Sequence, residues 1–112
     1  MAIIVTTEKP RALLKSIKAQ IDAGDIETWI YDSDGDFTHA PKQWIQKAWL
    51  RPSVETGELV FRIISPANTK MSRTVYAVYH GRFIEMLLTH FDLKFTMAEA
   101  TALPDRGDLV NP

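Results

Sequence analysis

Apolar residues along this chain follow two rhythms, and the change from one to the other marks its elements. Ala2-Ile3-Ile4-Val5-Thr6 is a short β-branched run and reads as a strand. Leu13, Leu14, Ile17 and Ile21 then recur at helical spacing, with Lys15, Lys18, Gln20 and Asp22 on the other side. Pro10 suits the first helical position, where its missing N–H costs nothing, and Gly24 supplies the left-handed residue that ends the helix. Strict alternation returns at 26–31. Ile26, Thr28 and Ile30 share one face, and Glu27, Trp29 and Tyr31 the other. Asp32-Ser33-Asp34-Gly35-Asp36 is turn chemistry, the Asp-Gly pair above all, and Phe37-Thr38-His39 begins a return strand.

Between Pro41 and Pro52 both rhythms fit. Trp44, Ile45, Ala48 and Trp49 are helically spaced, yet 48–54 and 59–64 flank Glu55-Thr56-Gly57-Glu58 as the arms of a hairpin. The expectation is one helical turn over 41–45, a strand over 47–54 and another over 59–64. Pro52 then needs an edge or a bulge, because it cannot donate to a ladder. Ser72 is placed as the N-cap of a long helix ending near Phe91. On its wheel Tyr76, Phe83, Ile84, Leu87 and Phe91 form a broad apolar face opposite Thr74, Arg82, Glu85 and Thr89, so this is the central core helix. Residues 94–101 add a last strand.

The order β-α-β-β-β-α-β specifies a two-layer α+β domain, a mainly antiparallel sheet with both helices packed on one face. The first strand and the one at 26–31 are expected to be parallel neighbours through a right-handed crossover. The domain spans 1–103, and 104–112 reads as a flexible tail.

Composition narrows the class further. A chain of 112 residues has room for one domain and can bury a core without metal or disulfide staples. It has no cysteine, which removes disulfides, thiol nucleophiles and thiolate metal sites. The N-terminal apolar run is too short for a signal peptide, and no stretch approaches the ~20 apolar residues of a spanning helix. A cytoplasmic location without a membrane partner is expected. The net charge of −1 argues against a general polyanion binder, but the charge lies in blocks. Residues 1–19 carry four bases against Glu8, 20–41 carry six acids and no base, and 42–82 carry seven bases against Glu55 and Glu58. Folding is expected to interleave these blocks; left segregated, they would suit a homodimer or another protein partner.

Candidate chemistry is sparse. Asp32, Asp34 and Asp36 hold the first, third and fifth positions of a calcium loop, but the sixth is Phe37 where glycine is required and the twelfth is Gln43 where glutamate is required. A hairpin turn is therefore expected. His39 is the one further residue that would complete a metal set with those acids. His80 falls at the centre of the long helix's apolar face, one turn after Tyr76 and followed by Gly81. It reads as a satisfied core histidine beside a packing glycine, or as the polar floor of a ligand pocket shared with Tyr76 and Arg82. Trp44 and Trp49 are the candidates for an interaction patch. No nucleophile motif or phosphate loop occurs, and no cofactor is expected.

From 10 to 91 the order α-β-β-β-α resembles that of a double-stranded RNA-binding domain. The basic cluster expected at the second helix is reduced to Lys70 and Arg73, and the acids of 20–36 would face phosphate, so nucleic acid is not the expected partner. The leading expectation is a non-enzymatic binding or interaction domain for a protein or small molecule. A small metal-dependent or histidine-based hydrolase is the alternative from a different class.

Overall fold

The computed structural model describes residues 2–102, so the tail expected at 104–112 lies outside them. The elements run β1 (Ala2–Thr6), α1 (Pro10–Asp22), β2 (Trp29–Tyr31), β3 (Phe37–His39), β4 (Trp49–Glu55), β5 (Glu58–Ile64), α2 (Arg73–Phe91) and β6 (Met97–Ala100). The helix boundaries follow from local chemistry. Pro10 opens α1, and Gly24 beyond its end has φ +83°, a conformation that side chains resist. The Ser72 hydroxyl accepts the Val75 amide and caps α2.

All six strands join one antiparallel sheet in the order β2-β3-β4-β5-β1-β6. The return run Phe37–His39 is thus a full strand, and four strands separate the helices instead of three, which ends the resemblance to the RNA-binding order. The parallel pairing of β1 with the strand after α1 does not occur. β1 lies between β5 and β6, and β2 takes the opposite edge of the sheet, so α1 crosses over three intervening strands. Strand β2 is also shorter than 26–31. Ile26 is buried, but Gln20 and Thr28 carbonyls satisfy the amides of Ile26 and Ala40 outside the ladder.

The 41–45 segment does make one turn, with the Ile45 amide on the Pro41 carbonyl. Pro52 sits past Leu50, the only residue of β4 that pairs with β3, so its outer side is an edge.

Register sets the buried face. Val5 opposes Leu59, Ile3 opposes Phe61, Leu50 opposes both Ile63 and Phe37, and Trp29 opposes His39. These side chains meet Leu13 and Ile17 of α1 and Tyr79, Phe83, Leu87 and Phe91 of α2 in a single core, which puts both helices on one face. His80 is buried with them.

Gly81 is not the packing glycine its position suggested. It is exposed, and a Cβ added there would meet nothing within 4 Å. Glycine inside a helix costs about 0.5–1 kcal/mol against alanine when no contact requires it. Gly81→Ala should therefore raise the denaturation midpoint by an amount equivalent to about 0.5–1 kcal/mol; a loss of stability would mean that the space beside it is filled.

Candidate functional site

The acidic turn comes together as a cluster but is spent on structure. Ligand oxygens of Asp32, Asp34 and Asp36 lie within 4.8 Å of one another. One Asp32 oxygen accepts the amides of Asp34 and Asp36 at 3.0 Å each, the usual task of aspartate in a turn. Asp36, almost buried, receives a two-pronged bond from Arg51, with Nε on Oδ1 at 3.0 Å and Nη2 on Oδ2 at 2.9 Å. That fork also offsets a cross-strand pairing of like charges, because Arg51 stands directly opposite Arg62.

His39 does not join the acids. Its Nδ1–H donates to the Thr28 carbonyl at 2.8 Å, and its ring lies 4.6 Å from that of Trp29 and 6.2 Å from that of Tyr79. Burial holds its pKa below the ordinary value. The bond to Thr28 and the Glu85 charge work in the opposite direction, and Arg82 adds to the lowering.

The His80 set is divided. His80 Nδ1–H donates to the Tyr76 carbonyl one turn earlier at 2.8 Å, and the two rings are 6.2 Å apart. Arg82 lies two residues on, roughly 200° round the helix, exposed and only loosely paired with Glu85 at 4.0 Å. It belongs to the His39 side of α2.

The two tryptophans also part company. Trp44 is half-buried against the core, and its carbonyl accepts the Tyr79 hydroxyl. Trp49 is half-buried in β4, opposite Ile64, on the sheet face away from the helices.

A groove of about 510 Å³ opens elsewhere, where the β1–α1 loop meets the α2–β6 connection. Thr7, Glu8 and Lys9 line it from the first loop, Ala12 and Leu13 from α1, and Leu93, Lys94, Phe95 and Thr96 from the second connection. The two loops are tied together: buried Thr7 donates its hydroxyl to the Lys94 carbonyl at 2.8 Å, and the Thr96 amide bonds the Thr6 carbonyl. The walls are therefore fixed by the sheet. Leu13 is a buried part of the wall, whereas Leu93 at the rim is 94% exposed.

No protein-family model, curated protein or solved structure matches this chain.

The groove residues carried no signal in the sequence. Pro10 located the start of α1, but nothing linked residues 7–9 to residues 93–96, because β6 falls beside β1 only in the folded sheet. Thr38, whose hydroxyl contacts that of Tyr79, was equally silent.

With Asp36 committed to Arg51 and Asp32 to the turn amides, millimolar calcium or magnesium should leave the denaturation midpoint essentially unchanged. Saturable stabilisation at micromolar ion would reverse that reading, since specific binding to the native state raises stability by mass action.

Proposed function

We propose that this chain is a non-enzymatic binding domain whose ligand is a small, partly apolar molecule seated in the groove between the β1–α1 loop and the α2–β6 connection. The groove itself carries the reading. Its volume of about 510 Å³ falls within the range of small-molecule sites. Its lining joins apolar Ala12, Leu13, Leu93 and Phe95 to a few polar groups, the mixture that gives such sites affinity and orientation.

The histidines and paired acids that a hydrolase would use support the same reading by their employment. His39 and His80 are each tied to a main-chain carbonyl, and Asp36 is held by Arg51; none of them lines the groove. A general base must reach the proton it removes, and these groups face the core or the acidic turn instead. Among the described residues no helix is long and apolar enough to cross a bilayer.

Ala12 gives the test, because it lines the groove on the exposed side of α1. In a fragment screen read by amide chemical shifts, hits should move Thr7, Lys9, Leu13, Lys94 and Thr96. Ala12→Phe should abolish those hits and leave the denaturation midpoint close to that of the parent chain. Hits that survive the substitution, or that gather on the sheet face around Trp49, would refute the proposal and point to an interaction surface there.

A further inference from the structure

Only one residue pair, Phe37 with Leu50, joins β3 to β4, whereas β4 and β5 pair along seven residues. The β2–β3 hairpin is therefore attached to the sheet chiefly through side chains. Thr38 Oγ1 ties the 41–48 loop to the hairpin, donating to the Ala48 carbonyl at 2.9 Å and accepting the Gln46 amide at 3.0 Å, and it reaches α2 at the Tyr79 hydroxyl 3.0 Å away. Gln46 itself sits at φ +58°, a conformation that an L residue adopts at a cost. Inside the attachment lies His39, 4% exposed, in a triangle of rings with Trp29 at 4.6 Å and Tyr79 at 6.2 Å. The indole Nε1 of Trp29 is buried with no hydrogen-bond partner among the described residues, so the pocket around the imidazole has little polar capacity.

We propose that the β2–β3 hairpin, with the 41–48 loop, is an acid-labile unit that leaves the rest of the sheet when His39 takes up a proton. Docked, the imidazole packs against the rings of Trp29 and Tyr79, spends its Nδ1–H on Thr28 and is 4% exposed, so a second N–H⁺ would be poorly hydrated. Among the described residues the charged groups that reach it come from α2, and they oppose one another: Arg82 disfavours the proton and Glu85 favours it. Both are more than half exposed, so solvent screens them. The charges of α1 that touch the hairpin sit at the other end of β2, with Asp22 accepting the Tyr31 hydroxyl and Lys18 over the Tyr31 ring. Burial therefore decides the balance. Release returns the ring to water and to its ordinary pKa near ~6.5. The docked form has the lower pKa, so its advantage is complete above about pH 6.5 and declines as pH falls, by at most about tenfold per unit, until the docked ring itself titrates. Release would uncover Trp29, Phe37, Tyr79 and Phe83, giving the fold an aromatic surface under acid only.

Native-state amide exchange of the whole chain at pH 7.5 and pH 5.5, corrected for intrinsic rates, reads this directly. A two-stranded hairpin is marginal by itself in water, so detachment also frees its internal bonds. The opening constant of the Ile30, Asp32 and Thr38 amides should increase several-fold at the lower pH, while β5 and β1 amides keep theirs. His39→Phe should remove that increase, and His80→Gln should retain it. A hairpin that opens no more at pH 5.5, or opens only together with β5, would overturn the proposal, as would an increase that follows His80. The wild-type chain also supplies a check free of any substitution: the His39 ring must titrate below about 6.5 by NMR, and a value at or above it removes the driving force.

Discussion

Between β3 and β4 the hydrogen-bonded ladder narrows to a single pair, so what holds the sheet together there lies on top of it. Phe83 of α2 packs at 4.9 Å from Trp29 of β2, 5.8 Å from Phe37 of β3 and 4.5 Å from Phe61 of β5, bridging the narrow joint with one ring. Tilted and edge-on aromatic pairs contribute about 0.5–1.5 kcal/mol each beyond their buried area. One turn away, Tyr79 adds the polar part of the joint: its hydroxyl donates to the Trp44 carbonyl, with Thr38 Oγ1 3.0 Å from it. Helix α2 thus acts as a clamp, and its aromatic face determines where β2 and β3 can lie.

This clamp explains why some of the fold was legible in the sequence and some was not. The apolar stripe of α2, the Ser72 cap, the Pro10 start and the 58–64 strand are local patterns, and each was read within a residue or two of its true place. Strand order was not local. The parallel crossover was the shortest route from α1 to the next strand, but Trp29 finds its partners at Tyr79 and Phe83, about fifty residues later, and they draw β2 to the far edge. Three residues are too few for alternation to count, so 37–39 reads only as the start of a return strand and drops out of the element order; the stability of β3 comes from Thr38 and Phe37 contacts outside the strand.

The candidate residues divide along the same line. His80 was placed in the core by its helical spacing, and it is there. His39 was grouped with the acids because they are neighbours in sequence, yet alternation along β3 turns its ring toward α2 while the Asp36 carboxylate meets Arg51. The groove arises from two loops more than eighty residues apart, a relation that no motif encodes. Its walls are tied to the same sheet that α2 clamps, at the edge away from the hairpin, so groove and hairpin occupy opposite ends of one layer.

If α2 rather than the ladder secures the hairpin, Thr38 and Tyr79 must act as a unit. A double-mutant cycle of Thr38→Val and Tyr79→Phe, measured by denaturant unfolding, tests this most directly. Residues sharing one hydrogen-bond network couple by about 0.5–3 kcal/mol, and a coupling in that range is the predicted result. Additivity within about 0.3 kcal/mol would contradict the account, because the hairpin would then be held by something other than this contact.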